Sequence, residues 1–204
     1  MKIILNIFLV FIISYLIGSF PTAYIVAKIF KNIDIRNFGS GNPGATNVFR
    51  SVGKTAGILT LIIDFTKGFL PVVLTKNFFG YHQNLMVLSG LSSVFGHTWT
   101  IWLNFKGGKG VATGAGVIFA LVPKSAIIGV LTFLVVLLFS KYVSLSSIIS
   151  SSMVCCATWI DKQNSFTVKI VLTFLALLII LRHRENIKRL IKREEPKVIL
   201  WKKN

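Results

Sequence analysis

The chain has 204 residues, 53% of them hydrophobic, with a mean hydropathy of +0.73 and a net charge of +17. A water-soluble domain of this length cannot hide that much apolar surface, so the composition indicates an integral membrane protein. Its 23 Lys and Arg sit mostly between apolar runs and at the C-terminus, a pattern of membrane topology and anionic ligands; no RNA-binding or helix-turn-helix signature is visible, so nucleic acid is set aside.

In chain order, the opening "MKIILNIFLVFIISYLIGSF" reads at first like a secretory signal. Its apolar stretch runs on past Gly18 to about Ile29, longer than a signal's apolar region of about 7–15 residues, so a retained first helix is expected over 3–28. Further helices are expected over 55–75, 85–101, 111–122, 125–140, 144–160 and 165–181. A single helix over 111–140 would be about 45 Å long, too long for a hydrocarbon core of about 30 Å. Pro123 and Lys124 interrupt that run and mark a turn between two short helices. Seven spans place the links 28–54, 102–110, 141–143 and 182–204 on one side, with 17 Lys and Arg against 5 on the other. The positive-inside rule then sets the N-terminus outside and the C-terminus in the cytoplasm. The expectation is one all-α membrane-embedded domain, 1–204, with polar loops at about 36–54, 102–113 and 182–195 facing the cytoplasm.

The first of these loops reads "RNFGSGNPGATNVFRSVGKTAG", Arg36 to Gly57. Gly39, Gly41 and Gly44 let the backbone double back and present N–H groups. Ser40, Asn42, Thr46 and Asn47 add neutral hydrogen-bonding groups, while Arg36 and Arg50 add guanidinium forks suited to phosphate. The "VGKT" at 52–55 is not a nucleotide P-loop, because Val48 stands where that pattern needs Gly and no strand precedes it. Gly53 and Gly57 form a G-x-x-x-G pair, read as helix packing.

Within the second span Asp64 and Lys67 are three residues apart, the spacing of a structural ion pair. The second loop is "NFKGGKGVATGAG" after "GHTWTIWL". Gly107, Gly108 and Gly110 flank Lys109, and a helix begins near Val111. A turn of this kind can form an anion nest, the helix N-terminus would point at the same place, and Lys106 and Lys109 supply full charges. His97 is expected to hydrogen-bond this loop rather than react, and Trp99 and Trp102 to anchor at the membrane interface. Ser144, Ser146 and Ser147 compete for any polar role at the start of the sixth helix. Cys155 and Cys156 are adjacent within an apolar run, without metal-ligand or disulfide spacing; no metal and no cofactor are expected.

The third polar stretch, "RHRENIKRL", runs from Arg182 to Leu190. On a helix His183 and Asn186 share a face, with Arg182 and Arg189 near it. His183 is expected at the membrane interface rather than in the core.

"GSGNPGATNVFR", "GHTWTIWLNFKGGKGVAT" and "RHRENIKRL" together resemble the three cytoplasmic signatures of the bacterial acyl-phosphate:glycerol-3-phosphate acyltransferases, the PlsY family. Length, topology and "DFTKG" extend the resemblance over nearly the whole chain. It implies transfer of a fatty acyl group from acyl phosphate to the 1-hydroxyl of glycerol 3-phosphate, giving lysophosphatidate and inorganic phosphate, at the bacterial cell (inner) membrane. By motif position it implies that Ser40, Arg50, Lys109, His183 and Asn186 are catalytic or bind glycerol phosphate. Thr46 with the amides of Gly107 and Gly108 would cradle the acyl phosphate; Asn42, Asn47, Lys106, Ser147 and Arg182 join the substrate-binding set. Thr100 and Arg193 depart from the pattern, where Pro and Gly are usual.

No Ser-His-Asp triad and no reactive Cys is visible, so direct attack by the glycerol hydroxyl is simpler than an acyl-enzyme. Either His183 or the substrate phosphate could take the proton. The H-x-x-x-x-D pattern of acyl-CoA-dependent enzymes is missing: the fifth residues after His82, His97 and His183 are Val87, Trp102 and Lys188. The competing reading is a transporter of an organic phosphate, which should show internal repeats with broken helices in both halves; none is seen. The basic C-terminus fits docking of a soluble enzyme that makes acyl phosphate.

Overall fold

The computed structural model describes residues 2–198. Lys202 and Lys203, counted above with the basic tail, lie outside them. The described residues form helices in every expected apolar segment, with breaks at Pro21 and after Thr98, and they group into two compact units divided between Leu121 and Val122.

The first unit contains α1 (Lys2–Ser19), α2 (Thr22–Lys31), α3 (Ala45–Ser51), α4 (Lys54–Phe79), α5 (Gln83–Thr98) and α6 (Val111–Leu121), with short 3-10 turns at Ile35–Asn37 and Ile101–Leu103. The first expected helix is therefore broken: Pro21, which has no N–H, separates α1 from α2. The link 28–54 is not all loop either, since α3 occupies its second half.

Glycines let these helices approach closely. A Cβ on Gly18 of α1 would lie 2.1 Å from the Ser93 carbonyl oxygen of α5, and one on Gly96 of α5 would lie 2.2 Å from the Tyr15 carbonyl of α1. Gly68 of α4 and Gly116 of α6 make the same reciprocal arrangement with Thr113 and Phe65. Small residues at such crossings are what apolar helices need when lipid supplies no hydrophobic drive between them. The G-x-x-x-G reading divides. Gly57 packs α4 on Phe49 of α3, whereas Gly53 meets nothing within 4 Å and is needed for its φ of +143°.

Pro71 lies inside α4 and leaves the Lys67 carbonyl, four residues earlier, without its helical donor. Ser93 Oγ of α5 donates to that carbonyl at 2.5 Å. The repair also fixes the register of α4 against α5.

The second unit contains α7 (Pro123–Ser140), α8 (Val143–Ile160), α9 (Phe166–Arg182) and α10 (Arg184–Ile191). The expected break before residue 125 is present, with Pro123 in the first turn of α7, a position where its missing N–H costs nothing. α7 packs on α8, α8 on α9, and α10 against both α8 and α9.

By length and composition, four helical segments can cross a membrane: Lys2–Lys31, Lys54–Phe79, Pro123–Ser140 and Val143–Ile160. A fifth follows if α9 and α10, bent by 55°, form one span. α6 is shorter, at 11 residues. The protein is a multi-pass membrane protein.

Candidate active site

In the first unit the 38–44 loop is built around one side chain. Gly39 and Gly41 take φ of +58° and +69°, a region that favours glycine. Asn47, on α3, is 3% exposed. Its Nδ2 donates to the carbonyls of Ile35 and Phe38 at 3.2 and 2.9 Å. Its Oδ1 accepts from the Ser40 amide at 3.1 Å and from Ser51 Oγ at 3.4 Å. All four hydrogen-bonding positions of the amide are thus occupied by the loop and α3. Asn47 shapes the loop; a direct bond to substrate would require breaking one of these.

Ser40 and Arg50 are exposed, and Asn42 and Thr46 half-buried. The structure puts Thr46, Asn47 and Arg50 on α3 and Ser40 on the loop that α3 holds. Arg36 is engaged elsewhere: its guanidinium pairs with Asp34 at 2.6 Å and lies 5.6 Å from the Tyr24 ring. That fork holds Asp34 below the usual carboxylate range.

The second loop departs from expectation in one respect. The amides of Gly107 and Gly108 donate to the carbonyls of Thr98 and His97, at 3.0 and 3.1 Å. As they stand, those two N–H groups do not form an open anion nest. Close approach to the main chain requires Gly107 instead, and Gly108 lies against the His97 ring. A Cβ on Gly107 would lie 2.0 Å from the His97 carbonyl, and one on Gly108 would lie 2.3 Å from His97 Nε2. The groups suited to an anion are then Lys109, half-buried, Lys106, exposed, and the first-turn amides of α6. Asn104 and Phe105 precede the turn with φ of +52° and +59°, consecutive left-handed residues that composition did not signal. Such strain collects at functional loops.

Thr100 adopts φ −69°, the value a proline would fix. Its hydroxyl donates to the Ser19 carbonyl at 2.5 Å.

In the second unit His183 forms the joint between α9 and α10 and is 3% exposed. It is buried, not merely interfacial as expected. Its Nδ1 lies 2.7 Å from the Ile179 carbonyl oxygen. A carbonyl can only accept, so Nδ1 carries the proton and the neutral ring has its lone pair on Nε2.

Asn186, one turn on, is held by a residue that sequence reasoning passed over. Its Nδ2 donates to Glu195 Oε1 at 2.7 Å. Ser144 Oγ donates to the same oxygen at 2.8 Å, and Arg189 Nε donates to Oε2 at 2.8 Å. Burial alone would raise the Glu195 carboxyl, but the donors Asn186, Ser144 and Arg189 outweigh it and hold the group below its ordinary value. The available signal was an acidic pair, "EE", in an otherwise basic tail. Of the three competing serines, Ser144 makes this tertiary bond. Ser146 and Ser147 donate back to their own helix, to Tyr142 and Val143. Arg182, half-buried, ends α9.

Asp64 and Lys67 form the expected ion pair at 2.8 Å, buried in the first unit. Among the described residues no group of three or more His, Cys, Asp or Glu side chains could hold a metal.

Residues 8–193 match the family model described as glycerol-3-phosphate acyltransferase. A glycerol-3-phosphate acyltransferase of Endomicrobium trichonymphae is 48% identical over 200 residues, covering 94% of this chain and 96% of the relative. One of Staphylococcus saprophyticus is 44% identical, covering 92% and 95%. Among solved structures, the glycerol 3-phosphate form of PlsY (YgiH), an integral membrane glycerol 3-phosphate acyltransferase, superposes with a TM-score of 0.89 at 40% identity, over 94% of this chain and 95% of that one. Its lysophosphatidic acid form gives 0.86 at 39% identity, covering 94% of each.

Proposed function

The chain belongs to the glycerol-3-phosphate acyltransferase family, of the PlsY type, and from that premise we propose that its acyl donor is acyl phosphate. The reaction is transfer of the acyl group to the 1-hydroxyl of sn-glycerol 3-phosphate, with lysophosphatidate and inorganic phosphate as products of phospholipid synthesis. The observation that carries the reading is the second loop: Lys106 and Lys109 beside Gly107, where a Cβ would strike the His97 main chain, and Gly108, which lies against the His97 ring, ahead of the α6 N-terminus. Two ammonium groups ahead of a helix N-terminus favour a compact oxyanion group.

The mixed anhydride is already activated, so the protein's task is to position two anions and offset their repulsion. In the first unit Lys109, Arg50 and Ser40 take the catalytic and glycerol-phosphate roles. Thr46, Asn42 and Lys106 bind substrate, Gly107 and Gly108 give the acyl-phosphate site its shape, and Asn47 positions Ser40. In the second unit His183 and Asn186 act on the glycerol moiety, with Ser147 and Arg182 as binding residues and Glu195 positioning Asn186.

The glycerol hydroxyl attacks the acyl carbonyl carbon, the C–O bond to phosphate breaks, and inorganic phosphate leaves with the bond's electron pair. No acyl-enzyme forms. His183 Nε2, bearing the lone pair in the neutral ring, accepts the hydroxyl proton; the competing base is the substrate's own phosphate, whose second pKa is about 6. The chain crosses the bacterial inner membrane seven times, N-terminus outside, and works from the cytoplasmic side.

Lysophosphatidate formation by purified protein, with palmitoyl phosphate compared to palmitoyl-CoA, tests the donor. Turnover with the phosphate alone supports the reading, and turnover with the thioester alone contradicts it. Loss of at least about 100-fold in kcat on His183→Gln fits a base; retention of most of the rate assigns the proton to the substrate phosphate. Binding of glycerol 3-phosphate without chemistry from either donor would favour the transporter.

A further inference from the structure

Three titratable side chains are buried side by side in the first unit, and the reaction above uses none of them. Asp64, Lys67 and His97 are 2%, 6% and 6% exposed. Lys67 Nζ lies 2.8 Å from Asp64 Oδ1 and donates to the Phe20 carbonyl at 2.9 Å, at the break between α1 and α2. His97 Nδ1 lies 3.8 Å from the same Asp64 oxygen, beyond a hydrogen bond, with both side chains buried. The far edge of that ring meets the glycine turn: a Cβ added to Gly108 would lie 2.3 Å from Nε2 and 2.8 Å from Cε1. The main chain of His97 grips the same turn, its carbonyl accepting from the Gly108 amide at 3.1 Å.

We propose that the buried Asp64–His97 pair is a positioning device for the Gly107–Gly108 turn, and that His97 sets the affinity for acyl phosphate through it. This rests on the acyl-phosphate reading above. Lys67 fixes Asp64 against α1 and α2, Asp64 fixes the imidazole, and the imidazole fills the space beneath Gly108. Burying such groups is costly unless each is paired, and here the pairing ends under the turn of two successive glycines, with the His97 ring occupying the space that a Gly108 Cβ would need. Without the ring, Gly108 loses the side chain packed beneath it, although the Pro43 carbonyl remains 3.2 Å from the same Cβ position, and the adjacent Lys109 loses a fixed support.

The test is steady-state kinetics of wild type, His97→Ala, His97→Gln and His97→Asn. His97→Ala is expected to raise KM for acyl phosphate about tenfold, with kcat and KM for glycerol 3-phosphate within about twofold. His97→Gln refills the space beneath Gly108 and recovers most of the loss; His97→Asn is too short to do so and does not. A thermal destabilisation with both KM values unchanged, or equal rises in both, overturns the proposal. Hydrogen exchange over residues 104–110 reads the turn without any donor. His97→Ala is expected to speed it at least about tenfold relative to the interior of α4. Unchanged exchange overturns the proposal whatever the donor is, whereas faster exchange in a protein inert toward acyl phosphate upholds the positioning and removes only the donor assignment.

Discussion

Replacing Glu195 by Ala removes the acceptor of three donors at once. Asn186 and Ser144 bond one carboxylate oxygen and Arg189 the other, around a side chain only 3% exposed. Hydrogen bonds to a charged group contribute about 1.5–3 kcal/mol each. The Arg189 contribution is discounted to below about 1 kcal/mol, because that side chain is 34% exposed and screened by solvent. Two buried bonds and one screened one, less relaxation of the donors toward water, give a loss of about 3–5 kcal/mol. Glu195→Gln keeps one oxygen for Asn186 and Ser144 but turns an NH2 toward Arg189, so about half of that loss is expected. The assay is thermal unfolding in detergent, followed by size-exclusion chromatography, with kcat on the surviving folded fraction. Because Asn186 loses its anchor, kcat is expected to fall even in folded protein. The pH dependence has a definite sign. The folded-state carboxyl lies below its ordinary value, so its stabilisation is complete above the ordinary carboxylate range and drains away as pH falls through and below it. Glu195→Gln should be less stable than wild type at neutral pH and should lack that part of the acid sensitivity. A Glu195→Ala protein with wild-type unfolding temperature and kcat would refute the reasoning.

Ser93→Ala removes the hydroxyl that bonds the Lys67 carbonyl left open by Pro71, at a cost of about 1–3 kcal/mol for a buried unsatisfied acceptor. Pro71→Ala in that background restores a helical N–H and should recover part of it, read by the same unfolding assay; no recovery would mean the carbonyl is not the cause. Arg193 takes φ +61° where the resemblance leads one to expect glycine. A left-handed non-glycine residue costs about 1–2 kcal/mol, and glycine returns about 0.5–1 kcal/mol of that as unfolded-state entropy. Arg193→Gly should therefore raise stability by up to about 1 kcal/mol; a lower unfolding temperature would contradict the argument.

The helices were legible because apolar runs and Pro123 carry a strong local signal. The break at Pro21 carried the same signal, yet it was overridden by the length of the surrounding apolar run. α3 was hidden because the glycines before it dominate the reading, and "ATNVFRS" is too short to show periodicity. The polar loops were found as stretches, but the partners within them were not. Asn47 reads as a substrate ligand in sequence, and only its four loop bonds show that it is committed to the fold. The Gly107 and Gly108 amides read as a nest because spacing cannot tell which way an N–H points. Glu195 was missed since a carboxylate in a basic tail looks like charge balance until three donors converge on it. The Asp64–Lys67 spacing, by contrast, fixes a helical pair outright, and it was found.

The central claim is direct transfer from acyl phosphate. Its sharpest test is phosphate release by purified protein in the first turnover, with palmitoyl phosphate present and glycerol 3-phosphate withheld. Direct transfer predicts no burst, and release that begins only when glycerol 3-phosphate is added and yields one lysophosphatidate per phosphate. A burst approaching one equivalent of phosphate per active protein, before any acceptor is added, would reveal an acyl-enzyme and contradict the account.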